Sequence, residues 1–459
     1  MSHETQMLLG LFLGIVVMIV LVLKTKTHTF IALLLAALIA GLVGKMSPAD
    51  VLDAIQAGFG STLKSTGIII GLGVMMGGIL EKSGAAEKLA YTFIKLIGSK
   101  KEEWALGITG WVISIPVFAD SALVIFAPLC KALSRVTGKS VVGLALALAC
   151  GLQLTHCMVP PTPGPLTAAG MMGVDVGQMI LMGVALSIPM LIVGVLYTKW
   201  VGKKVYQIAN EDGTFDRKEY KAEYLKSMDE LEKVMGEKKL PGLWASLAPI
   251  VVPLILIFGK TAVDLIGMES GLVYQAITLV GTPIVALGIG TTLAVYGLAA
   301  DFDKKEVIAI MDDSIKDTGL IMLITGAGGS LGNVIKVSGI GDALGTVVLT
   351  WAVPAILIPA IIAALMRIAL GSATVAITTA ASLTAPLIAS LGLSPLLLAQ
   401  SCCIGAISFS YFNDSGFWTF NGIFGLRDIK DQVKCKTAIS MIMFGVGIVE
   451  LVILSMFVK

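Results

Sequence analysis

The sequence predicts an all-α polytopic membrane protein made of two inverted repeats, each with a re-entrant hairpin and a broken helix. Three observations carry that expectation. The 459 residues are 56% hydrophobic and only 14% charged, with a mean hydropathy of +0.91, against about 25% charged residues in a soluble domain. Apolar runs recur along the chain at roughly the 20 residues a helix needs to cross a bilayer. Polar clusters interrupt those runs at matching places in the two halves. The runs are rich in Leu, Ile, Ala and Gly, unlike the alternating, turn-punctuated segments of a β-barrel.

The first run, Met7 to Leu23, has no basic residue before it and no small-residue cleavage site after it. It reads as a retained membrane helix and not as a removable signal peptide. With the N-terminus outside, further spans are expected over 29–45, 66–81, 140–158 and 178–200. A re-entrant hairpin over 104–135 enters and leaves on the cytoplasmic side, because Lys131, Arg135 and Lys139 match the side of Lys100. Residues 1–202 form the first repeat, 203–240 a charged cytoplasmic linker, and 241–459 the second repeat. Within the linker, 222–234 has helical spacing and suits either a membrane surface or a solvated helix.

The halves correspond in four places. Lys64-Ser65-Thr66-Gly67 opens a run ending at Ser83-Gly84, and Lys316-Asp317-Thr318-Gly319 opens one ending at Ser338-Gly339. Phe118 to Ala122 stands where the second half has Leu370 to Thr374. Pro163-Gly164 precedes Gly173 by the interval that separates Ser415-Gly416 from Gly425. Four matches in one order argue for a duplication. Basic residues then orient the copies. Lys82, Lys88, Lys95, Lys100 and Lys101 follow the first Ser-Gly, whereas at the far end the bias moves to the second copy, in Arg427, Lys430, Lys434 and Lys436. Since basic loops prefer the cytoplasm, matched positions lie on opposite sides, the layout many secondary carriers use to alternate a central site.

Four stretches place polar residues where hydrocarbon is expected, and irregular backbone survives there only when it lines a protein cavity. They are the segments around Asp120 and Ser121, His156 to Pro165, Gly371 to Thr374, and Asn413 to Gly416. Pro160, Pro161, Pro163 and Pro165 remove donors and force unwinding, and Gly164 and Gly416 permit shapes other residues resist. Each restarted helix offers unpaired N–H groups that attract a carboxylate. Proline-rich breaks also end ordinary surface loops, and Ser372 and Thr374 also suit a helix-packing seam. Asp120 and Asp414 are harder to explain structurally, because a lone intramembrane carboxylate costs about 2.5–3.5 kcal/mol. His156 either carries protons or bonds a carbonyl. Arg367 lies one turn before the tip at Ser372 and must find an anion or a carbonyl cluster. A bidentate grip on a substrate carboxylate is preferred to an ion pair with Asp414 or Asp120. Glu450 pairs or faces a crevice, and Lys260 snorkels.

The net charge of +2 carries little information in such a chain, and no nucleic-acid partner is expected. Cys130, Cys150, Cys157, Cys402, Cys403 and Cys435 lack metal or disulfide spacing and read as small buried hydrophobes. No metal site or cofactor is expected. A channel would need no inverted, broken halves, and an intramembrane hydrolase on Asp120 and Asp414 would lack a nucleophile–base pair, metal cluster or phosphate loop.

Together P-P-T-P-G-P, R-I-A-L-G-S-A-T-V-A and N-D-S-G-F-W resemble the gluconate permease family, the gluconate:proton symporters, and the likeness runs from about residue 7 to residue 457. That resemblance implies proton-coupled uptake of gluconate or a related aldonate across the bacterial inner membrane. Glycerate, D-serine or fructuronate is the alternative cargo, and sodium the alternative coupling ion. It implies a homodimer with a static scaffold and an elevator-like transport domain. Carried over by position, it marks as substrate-binding Asp120, Ser121, Thr162, Pro163, Gly164, Arg367, Gly371, Ser372, Thr374, Asn413, Asp414, Ser415 and Gly416, with Asp120, His156 and Asp414 for protons. It departs at Thr162, where some relatives have histidine and a hydroxyl cannot take up a proton.

Overall fold

The computed structural model describes residues 3–25, 27–97, 101–210, 214–217, 240–266, 270–340, 353–411 and 414–457. Helices α1 (His3–Lys24) and α2 (Thr29–Val43) cover the first two expected spans and pack on each other. The third expected span, 66–81, corresponds to Gly67–Lys82, the second part of a longer, bent helix. Helix α3 (Pro48–Lys82) runs 35 residues from a Ser47 cap that accepts the Asp50 N–H. Asp50, Asp53 and Lys64 hid its first part from a hydropathy reading. That part is helical and lies along α13 (Lys304–Val337). Glycines make the approach close, since a Cβ on Gly58 would stand 2.4 Å from the Gly329 carbonyl oxygen. Both long helices end at a serine followed by a left-handed glycine, Gly84 at φ +76° and Gly339 at +77°.

After α4 (Ala85–Ile97) come α5 (Glu102–Ile113) and α6 (Ala119–Thr137), the hairpin expected over 104–135. Lys139 sits between Glu102 and Glu103, at 2.8 and 2.5 Å, and ties the start of α5 to the end of the hairpin. Helix α7 (Val141–Met158) stops at a break, α8 (Pro163–Met172) restarts the chain, and α9 (Val176–Lys204) closes the half. The all-helical expectation then needs one amendment. Two short strands, β1 (Gln207–Ala209) and β2 (Phe215–Arg217), pair antiparallel in the linker. Gln207 Nε2 donates to the Phe424 carbonyl at 2.6 Å, and Lys131 Nζ lies 5.2 Å from the centre of the Phe215 ring. The linker's first residues are therefore docked on protein. The helical stretch expected over 222–234 lies outside the described residues.

The second half opens with α10 (Leu243–Leu265), α11 (Leu272–Gly281) and α12 (Pro283–Leu298). Lys260, expected to snorkel, pairs with Asp264 at 2.7 Å and stands 3.5 Å from Asp175. After α13 comes a second hairpin, α14 (Leu357–Leu370) and α15 (Ala373–Thr384), then a short turn and α16 (Ile388–Leu391). Helix α17 (Pro395–Ile407) runs into a second break, followed by α18 (Ser415–Ile423) and α19 (Ile429–Gln432). A π turn over Val433–Thr437 leads into α20 (Ala438–Ser455). Among the described residues five helices have the length and apolarity to cross a membrane, or seven if two bent pairs are counted.

Candidate functional site

Four polar segments meet because each broken helix is repaired by the other. Proline cannot extend α7 past Val159, so the carbonyls of its last turn lose their partners. Gln400, buried on α17, supplies one, donating from Nε2 to the Met158 carbonyl at 3.2 Å and to that of Met179 at 3.0 Å. Gln153, buried on α7, does the same for the other break, its Nε2 donating to the Ile407 carbonyl at 3.2 Å. The two interrupted helices are thereby locked together.

The second break is held from behind by α20 and its π turn. The Ser410 N–H donates to Ser440 Oγ at 3.1 Å, and Thr437 Oγ1 donates to the Ser410 carbonyl at 2.6 Å. Asp414 then caps α18, with Oδ1 accepting the Gly416 N–H at 3.0 Å and Oδ2 accepting Ser410 Oγ–H at 2.5 Å. The same Oδ2 receives Arg367 Nη2 at 2.5 Å, while Arg367 Nη1 donates to the carbonyl of Gly371. Gly371 ends α14 at φ +75°, where a side chain is disfavoured, and Ser372 begins α15 by accepting the Val375 N–H. Arg367 thus clips the tip of the second hairpin to the second break.

Tips and breaks also cross over. A Cβ on Gly416 would lie 2.8 Å from Asp120 Oδ1, which puts the second break against the first tip. A Cβ on Gly164 would lie 3.5 Å from the Thr374 Cα, which puts the first break against the second tip. Between them opens a cavity of about 120 Å³, many times what one ordered water needs.

Seven of the fourteen residues singled out in the sequence border this space. Asp120 is solvent-exposed and lines it, as do Arg367, Ser372, Thr374, Asp414 and Gly416. His156 lines it with its ring 5.8 Å from that of Phe118, and its Nδ1 is buried without a hydrogen-bond partner among the described residues. The first break does not line it. Thr162 is buried with its hydroxyl donating to the Val159 carbonyl at 2.6 Å, and Pro163 and Gly164 are buried beneath the second tip. Asn413 and the side chains of Ser121 and Ser415 lie outside the described residues. Arg367, assigned above to substrate in preference to an ion pair, is in fact paired with Asp414 at 3% exposure. Two charges drawn into one crossover pair with each other, and Arg367 Nε is left buried without a hydrogen-bond partner among the described residues.

Two lining residues escaped the sequence reading. Lys436 was counted among the basic cytoplasmic residues, yet it is 6% exposed and faces the cavity. It lies in the π turn, a distortion frequent at functional sites. Its Nζ donates to Gln153 Oε1 at 3.2 Å. Gln153 was read as part of an apolar span.

A helical membrane protein whose broken helices and hairpin tips enclose a small charged cavity has the makings of a small-molecule carrier. The comparisons agree: this is an integral membrane transporter and not an enzyme. A model described as GntP family permease matches residues 6–457, and the chain belongs to that family. It is 44% identical over 452 residues to an uncharacterised permease of Haemophilus influenzae, covering 97% of this chain and 91% of the relative. It is 32% identical over 470 residues to the gluconate permease of Pseudomonas aeruginosa, covering 99% of each. Its fold is similar to that of MtrF from Neisseria gonorrhoeae, described as illuminating a class of antimetabolite efflux pumps, with a TM-score of 0.64, 17% identity and coverage of 96% and 97%.

Proposed function

We propose that this chain is a secondary carrier that takes up gluconate or a closely related hydroxy acid with protons across the bacterial inner membrane. The observation that carries the reading is the cavity where Asp120, His156, Thr374 and Lys436 meet the Arg367–Asp414 pair. It holds charges of both signs, hydroxyls and an imidazole, the groups a polyhydroxy carboxylate and a proton require. The substrate class is supported by the relatives named as gluconate permeases.

Inverted halves remain part of the proposal, supported by the shared order of long helix, hairpin, broken helix and closing helix in α3–α9 and α13–α20. A homodimer in which a scaffold including α3 and α13 carries a moving cavity domain follows from the same reading. For the proton, Asp120 is the favoured carrier. It is open to water, whereas protonating Asp414 would strand the buried Arg367 guanidinium. His156, beside it in the cavity, is the second stop.

The test is uptake by the purified chain in liposomes, against labelled gluconate, other aldonates, glycerate and D-serine, with imposed pH or sodium gradients. Saturable gluconate uptake driven by an inward proton gradient is expected. Dependence on sodium alone would replace the coupling ion, and no uptake of any acid would overturn the reading.

A further inference from the structure

The cavity contains two basic side chains, and their situations differ. Arg367 is bonded to a carboxylate, Asp414, at 2.5 Å. Lys436, also buried, has among the described residues a single hydrogen bond, to the neutral amide oxygen of Gln153 at 3.2 Å, and no ion pair. Gln153 cannot readily turn away, because its Nε2 is bonded to the Ile407 carbonyl that the second break leaves open. That bond presents Oε1 to the lysine. Nor is the lysine on flexible backbone, since Thr437 beside it is bonded to Ser410 and Cys435 is fully buried.

A buried ammonium is unfavourable unless an anion neutralises it. Here one carboxylate of the cavity, Asp414, is already occupied by Arg367, Ser410 and Gly416. Asp120, the other carboxylate in the lining, repels a second carboxylate from its own side. Among the described residues the first half offers no counterpart, and Gln400, which repairs the other break, has its Oε1 buried without a hydrogen-bond partner. The asymmetry gives the cavity one cationic wall.

We propose that Lys436 is the anchor for the substrate carboxylate, with Gln153 as its positioning residue, and that Arg367 shapes the site through Asp414 without gripping the carboxylate. The proposal rests on the carrier reading above and assigns its polarity. The carboxylate points to the π turn, and the hydroxyl chain extends toward Asp120 and the tip at Ser372 and Thr374.

The experiment compares gluconate with its neutral amide, gluconamide, as competitors of labelled gluconate uptake in liposomes. Wild type should prefer the acid strongly. In Lys436→Met the KM for gluconate should rise roughly ten- to hundredfold, the loss of one charge-assisted hydrogen bond, and the preference for acid over amide should collapse. Lys436→Arg should keep that preference. Gln153→Glu serves as a second probe, independent of whether the methionine variant assembles. Its carboxylate would sit on Lys436 without removing the lysine, and should raise KM and erase the preference in the same way. If wild type transports gluconate and both variants keep its KM within about twofold with the preference intact, the anchor is refuted and the carrier reading stands. If wild type transports no hydroxy acid, both fall together.

Discussion

Replacing Asp414 by Asn removes one charge while keeping the cap, and so isolates the ion pair that joins the second hairpin to the second break. The amide oxygen can still accept the Gly416 N–H, and the Ser410 hydroxyl, no longer able to donate to that side chain, can turn to accept from its NH2. What changes is the guanidinium, 3% exposed, which faces an uncharged NH2 donor where Oδ2 accepted its hydrogen bond at 2.5 Å. Breaking one side of a buried pair costs about 3–5 kcal/mol, while each retained neutral hydrogen bond contributes only about 1 kcal/mol. The loss should therefore sit near the upper figures. Arg367→Gln leaves the carboxylate with two protein donors, so it should lie nearer the lower ones. The double variant strands neither charge and should recover about 2 kcal/mol or more relative to the sum of the singles. Equilibrium unfolding in mixed micelles, followed by tryptophan fluorescence with no substrate present, measures all four corners of the cycle. Additivity within about 0.5 kcal/mol would mean that the pair does not hold the site together, and the division of labour between Arg367 and Lys436 would lose its basis.

Two further outcomes follow from the geometry. A methyl group at Gly151 would stand 2.0 Å from the Gly107 carbonyl and 2.6 Å from the Trp111 nitrogen, both backbone atoms of α5. Gly151→Ala should destabilise by about 1–3 kcal/mol through overpacking. Gly60→Ala, with nothing within 4 Å, should be neutral or mildly stabilising; equal melting temperatures in detergent would contradict the close packing of α5 on α7. Asp120→Asn should abolish the stimulation of uptake by an inward proton gradient while gluconate exchange at equal pH persists, and an unchanged pH response would move the proton to His156.

The architecture was legible in the sequence where its causes are local. Prolines crowded at 160, 161, 163 and 165 end α7, whereas the single Pro189 lies inside α9, and a Ser-Gly pair ends α3 and α13 alike because only the glycine takes the left-handed turn easily. The hairpin over 104–135 was visible because its two arms are apolar and its ends are charged. Illegible features depend on partners distant in the chain. The polar start of α3 is helical against α13, a contact that hydropathy along one segment cannot register. Arg367 and Asp414 are 47 residues apart, and each alone reads as a charge awaiting a ligand; only the crossing of tip and break turns them on each other. Lys436 is the sharpest case. In K-C-K-T, Lys434 and Lys436 are equivalent by composition, and counting basic residues assigns both to a cytoplasmic loop. The π turn separates them: Lys434 lies 5.3 Å from the Trp200 ring, while Lys436 is buried against Gln153. One extra residue in a helical turn can thus move a charge from the set that orients the chain in its membrane to the set that meets its cargo.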